Sequence, residues 1–164
     1  MGGVLYAMTG AGNAHNRVAT NITIALGGTL RGRPCQVFNS DTKIQLMLPT
    51  QTRYYYPDVS VVCRSNPPTD SFQDEPVVVV EVLSPSTRRL DHGENREAYL
   101  MLSSLRVYLM VETTPAAVIA YRRTDQGFVR EDYTGLDAVV PLPEIEADLP
   151  LTEAYERVEF DPEG

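Results

Sequence analysis

Two carboxylates stand where a buried strand would prefer none. Asp58 follows Tyr54-Tyr55-Tyr56-Pro57 and opens the run Val59-Ser60-Val61-Val62-Cys63, while Glu81 interrupts Val77-Val78-Val79-Val80 and Val82-Leu83. A lone carboxylate taken out of water costs several kcal/mol unless it is paired or bound to a cation. On neighbouring strands these two would share one polar site. Such a pair is the usual oxygen kernel for Mg²⁺ or Mn²⁺, hard cations that keep several waters and need only one or two protein carboxylates. The backbone carbonyl of Val82 is a reasonable third ligand. A cation held this way lowers the pKa of a bound water and neutralises charge building up on a phosphate. A plainer reading stays open beside it: Asp58 bonds a neighbouring amide at the entry of its strand, and Glu81 pairs with an arginine.

The elements that must position these acids follow from periodicity and turn chemistry. Leu5-Tyr6-Ala7-Met8 reads as a short strand ended by Thr9-Gly10-Ala11-Gly12. Asn13 is a plausible N-cap for a helix to about Leu26, with Val18, Ile22, Ala25 and Leu26 on one buried face and Gly27-Gly28 ending it. His15 points to that same side, as a structural histidine or as a wall of the site. Cys35 to Phe38 and Ile44 to Leu48 read as strands around the turn Asn39-Ser40-Asp41-Thr42. Asp41 is read as a turn cap or as a third acid of the metal site. The tyrosine triplet is expected to enter the strand bearing Asp58, as packing or as a base-stacking platform.

After Glu81 the chain leaves through Ser84-Pro85-Ser86-Thr87 into a helix that Asp91 and Glu94 would cap as a box. Asn95, Ala98, Tyr99 and Leu102 share its sheet-facing side, and Arg96, about 100° around, is expected to face elsewhere. Val107 to Glu112 is a buried strand. Ala117 to Tyr121 and Phe128 to Tyr133 form a hairpin around Asp125-Gln126-Gly127. Short strands at Val139-Val140 and Glu144-Ile145 and a closing helix over Leu151 to Val158 complete the chain. The order predicts an α/β (α+β) fold: a mixed sheet flanked by helices, with a C-terminal β extension and a short closing helix.

At 164 residues, 43% hydrophobic and 22% charged, the chain reads as one globular domain over residues 1–164. No run is long and apolar enough to span a membrane, and no signal peptide is visible at Met1 to Leu5. Cys35 and Cys63 lie outside metal-ligand spacing and are expected as buried reduced thiols of a cytoplasmic protein. The formal net charge of −8 counts against a high-affinity DNA surface unless arginines cluster locally. Arg88 and Arg89 read as a solvated basic loop or a phosphate clamp. An uncovered edge strand would favour a homodimer or higher homo-oligomer.

Tyr-Tyr-Tyr-Pro-Asp58-Val, then Val-Val-Val-Glu81-Val-Leu-Ser-Pro-Ser-Thr, then Asp91-His-Gly-Glu94-Asn95-Arg-Glu-Ala-Tyr99 together resemble the Uma-two family of restriction endonuclease-like proteins, within the PD-(D/E)XK nuclease superfamily. The likeness continues through Ser104 to Val111 and Tyr133 to Asp137. It implies the endonuclease-like fold, a Mg²⁺- or Mn²⁺-dependent DNA endonuclease, and Asp58 and Glu81 as the metal-binding acids. The superfamily lysine normally lies two residues after the second acid, here Leu83. Uma-two proteins usually carry it on the following helix, where this chain has Asn95. Asn95 has no ammonium to polarise a water or steady a phosphate, and Lys43, Arg88 or Arg89 would have to reach in from loops. The resemblance therefore also admits a weakened member, acting as a nucleic-acid or protein-binding module. It further implies an N-terminal helical segment, which this chain would lack.

Overall fold

The computed structural model describes residues 12–84 and 92–160. Within them helix α1 (Asn13–Leu30) is followed by strands β1 (Gln36–Phe38), β2 (Ile44–Met47), β3 (Thr52–Tyr55), β4 (Val59–Val62) and β5 (Pro76–Leu83). Helix α2 (His92–Leu100) then leads to β6 (Val107–Glu112), β7 (Ala117–Thr124) and β8 (Gly127–Thr134). The chain closes through β9 (Val139–Leu142), a 3₁₀ turn (Pro143–Ile145), β10 (Ala147–Pro150) and the short helix α3 (Leu151–Ala154). The expected strand Leu5 to Met8, the loop arginines Arg88 and Arg89, and Asp91 of the capping box lie outside the described residues.

Six strands form one mixed sheet in the order β1-β4-β5-β6-β7-β8. Only β5 and β6 run parallel, because α2 carries the chain back between them. Alternation along β5 sends Val78, Val80 and Val82 to a core beneath α1, where Val18, Ile22, Leu26 and Leu30 meet them. Val79 and Leu83 go to the opposite face, against Ala98 and Tyr99 of α2 and Ile44 and Leu46 of β2. Glu81 shares that second face by the same alternation. Burying a valine or leucine is worth about 1.5–3 kcal/mol, so these two apolar layers fix the register that aims every polar side chain of the sheet.

Several expectations are corrected. Helix α1 is capped by Gly12 rather than Asn13 and runs through Gly27-Gly28 to Leu30. Leu26 and Leu30 continue its buried face, and a Cβ on Gly27 would lie 3.2 Å from Val37 Cγ1, so glycine there permits close packing on β1. Tyr54 and Tyr55 belong to a separate hairpin, β2 with β3, and the chain breaks at Pro57 before β4 begins. Glu144-Ile145 is a 3₁₀ turn rather than a strand. The closing helix stops at Ala154, and Arg157 beyond it takes a left-handed backbone conformation with φ 66° that does not continue a helix.

Cys35 and Cys63 are joined in a disulfide, not held as reduced thiols. They flank the β1–β4 ladder, in which Gln36 opposes Val62, so antiparallel pairing brings the two sulfurs together across the strands. The expectation of reduced thiols rested on the apolar run around each cysteine and on their separation in the sequence, and the pairing overturns it. Among the described residues no helix is long and apolar enough to cross a membrane.

Candidate metal and catalytic site

Asp58 sits where the β4–β5 ladder stops. Val59 opposes Val80, so the next position on that edge sets Val82 against Pro57. Proline has no N–H to give to the Val82 carbonyl. The Val82 N–H is taken instead by the Asp58 side chain, which accepts it on Oδ2 at 2.7 Å. In an extended strand the N–H and C=O of one residue share an edge, so the Val82 carbonyl looks toward the same corner as Asp58.

The other Asp58 oxygen, Oδ1, lies 3.3 Å from His15 Nε2, with both side chains largely covered. The Asp58 hydrogen bond raises the His15 pKa above its usual value, and the Asp58 charge adds to this while burial opposes it. His15 and Asp58 share a groove of about 310 Å³ with Thr20 and Thr23 of α1 and Asn39 and Ser40 of the β1–β2 turn. Asp41 is exposed in that turn, its backbone N–H bonded to Asn39 Oδ1; the cap is Asn39.

Glu81 is half-buried on the second face, across from Met110 of β6. Tyr99 of α2 and Tyr108 of β6 are fully buried on that face, with ring centroids 5.7 Å apart. Burial first, then the Glu81 charge, pushes both phenols well above their ordinary pKa, with Asp58 contributing to each. The two acids thus act on one buried aromatic patch. Asn95 is half-buried on α2, and Leu83 is a core residue 4% exposed. A lysine at position 83 would have to desolvate its ammonium there.

Arg96 does not face away from the sheet. Its guanidinium lies 5.0 Å from the Tyr121 ring centre and donates to the Tyr121 hydroxyl at 3.2 Å. A 100° offset on the helical wheel is covered by the reach of a long arginine side chain. Lys43 is set 5.1 Å over the Tyr54 ring, and Arg53 pairs with Glu94 at 3.3 Å. Among the described residues no three His, Cys, Asp or Glu side chains gather closely enough to hold a metal by themselves. The contacts that Asp58 makes are with the Val82 N–H and with His15.

A family model described as "Putative restriction endonuclease" matches residues 1–153. The chain belongs to this Uma2 family. It is 36% identical over 127 residues to the Synechocystis protein slr1290, a match covering 76% of this chain and 65% of that one, so it spans slightly less than two thirds of that relative. It is 27% identical over 142 residues to a second Synechocystis protein, sll1609, covering 84% and 79%. A crystal structure of "a putative nuclease belonging to DUF820" from Anabaena variabilis superposes with a TM-score of 0.72 at 16% identity, over 90% of this chain and 83% of that one. At that identity the likeness is one of fold: the mixed sheet with flanking helices is shared with that protein.

Among the residues singled out from sequence in this Uma2 chain, Asp58, Val82 and His15 are in direct contact. Glu81 follows on the adjoining strand, Asn95 belongs to the helix over the second face, and Asp41 stands apart on the surface. Sequence reasoning missed Arg96 on Tyr121 and the buried Asn21, whose amide donates to the carbonyls of Ala154 and Glu156 and ties α1 to the end of the chain. Asn21 next to Ile22 on a buried helical stripe was the available signal.

Proposed function

We propose that this Uma2 protein is a divalent-cation-dependent nuclease acting on DNA phosphodiesters, with its site at Asp58 and Glu81. The observation that carries the reading is the Asp58 carboxylate bonded to the N–H of Val82, the residue next to Glu81 in β5. Asp58, Glu81 and the Val82 carbonyl would hold Mg²⁺ or Mn²⁺, which when bound would acidify a water and screen charge on the phosphate. Asp58 is oriented in advance by the Val82 amide and by His15. Glu81 supplies the second carboxylate from a strand packed on both faces, a rigid support for such a ligand. Asn95 can donate a hydrogen bond from its amide but contributes no charge, and the absence of such a fixed cation commonly costs ~10²–10³ in rate.

Asn95, together with Arg96 engaged on Tyr121, favours a second reading. In it the same fold and carboxylates serve a nucleic-acid or protein-binding module with weak hydrolysis. Thermal unfolding with and without millimolar Mn²⁺ tests the shared core of both. The wild type is expected to melt higher with the cation and Asp58→Ala to lose that response. A wild type indifferent to Mg²⁺ and Mn²⁺ would remove the site assignment.

A further inference from the structure

Three buried side-chain hydroxyls, Ser60, Tyr99 and Tyr108, have no hydrogen-bond partner among the described residues, and all three lie on one face. Ser60 opposes Val79 across β4–β5, and Val79 pairs with Tyr108 across β5–β6. Val59 and Val61 point to the α1 core, so Ser60 points to the other face, where Tyr99 descends from α2 onto Tyr108. Glu81 lies one step along β5 on that same face. A buried hydroxyl that has given up water normally finds a partner or a bound water. Three such hydroxyls on one face, along the strand that carries Glu81, call for one explanation.

We infer that Tyr99 is a positioning residue of the carboxylate site, donating its hydroxyl to a water shared with Glu81, with Tyr108 and Ser60 completing that water's cage. The inference rests on the metal-site reading above and adds to it a group that would orient the second acid. Tyr99 suits the task. Its ring is fixed between Tyr55 and Tyr108, with centroids 5.4 and 5.7 Å away, so the hydroxyl has little freedom. Burial and two negative neighbours keep it protonated and therefore a donor. Partners that orient a metal-binding side chain typically change metal affinity by ~10–100-fold when removed.

The experiment is Mn²⁺ titration by calorimetry on the wild type, Tyr99→Phe, Tyr108→Phe and Tyr121→Phe, with the metal-free melting temperature of each. Phenylalanine keeps every ring contact and deletes one oxygen. Tyr99→Phe is expected to weaken Mn²⁺ binding about tenfold or more and to lower the metal-free melting temperature, since the shared water loses a partner. Tyr121→Phe, whose hydroxyl is already served by Arg96, is expected to bind Mn²⁺ within twofold of wild type. Tyr99→Phe binding Mn²⁺ as well as wild type overturns the inference, whether its melting temperature rises or falls, and leaves the Asp58–Glu81 site standing. A wild type that binds no Mn²⁺ overturns the site reading and this inference together.

Discussion

On β7, Arg122 takes two carboxylates at once. Its Nε lies 3.1 Å from Glu131 Oε1, its Nη1 lies 2.7 Å from Glu144 Oε2, and Nη2 donates to the Pro141 carbonyl at 2.8 Å. Tyr133 adds a hydroxyl to Glu131 at 2.7 Å. At the other end of the sheet, Asp58 is held by a backbone amide and a histidine. Asp58 and the Arg122 pair of acids are held differently. The guanidinium is a permanent charge in a rigid fork that matches carboxylates, so the Arg122 cluster is closed. Around Asp58 the partners are a neutral amide, which orients without cancelling charge, and an imidazole that can lose its proton. Fixed neutralisation reads as structure, and exchangeable neutralisation leaves room for a cation.

The sharpest way to break this contrast is to install a permanent charge beside the acids. Asn95→Lys places an ammonium on α2 at the position where the family resemblance implies one. Mg²⁺-dependent nicking of supercoiled DNA is expected to rise by ~10²–10³ over wild type. Activity that appears only in the variant assigns the natural chain to the binding-module reading. Equal rates would mean that the missing cation is not what limits the site.

The opposite manipulation opens the closed cluster. Arg122→Met leaves Glu131 and Glu144 without their shared partner, and breaking a buried pair from one side costs about 3–5 kcal/mol. Because Glu131 is a third exposed, at 34%, the lower figure of about 2–3 kcal/mol is expected in urea unfolding. The Mn²⁺ response should survive in folded protein. A loss below about 1 kcal/mol would make this cluster an ordinary surface pair and weaken the contrast.

What the sequence disclosed divides along the same line. The valine runs of β4, β5 and β6 announced a buried sheet, and carboxylates breaking such runs stood out because each burial conflicts with its neighbours. Those are local conflicts, readable one residue at a time. Three features were not local. The disulfide depends on β1 lying against β4, a pairing between segments whose register no short pattern specifies. Helix α1 overruns Gly27-Gly28 because Leu30 and Val37 hold it there, and tertiary packing outweighs about 1 kcal/mol of glycine cost per residue. Arg96 was assigned by the angle of its Cα, while its guanidinium sits several bonds away over Tyr121. Asp58 stood out in the sequence, yet its partner His15 lies on a helix that sequence could place only on the same side of the core.

That histidine supplies the smallest test of the contrast. In the folded protein the Asp58 hydrogen bond raises the His15 pKa above its ordinary value of 6.5. A group whose pKa rises on folding contributes stability that is complete below its unfolded value and is lost as pH climbs through the folded value. In metal-free protein, the wild type should therefore exceed His15→Gln most at about pH 5.5–6. The advantage should shrink through pH 7 to 8, with a full span of no more than about 1 kcal/mol for so small and partly hydrated a pair. Urea unfolding of both proteins at matched pH measures the difference directly. Arg122 cannot show such a window, because its guanidinium stays charged throughout that range. A difference that stayed flat from pH 5.5 to 8 would mean that His15 meets Asp58 as a neutral donor, and that the Asp58 carboxylate is charge-compensated by nothing that titrates.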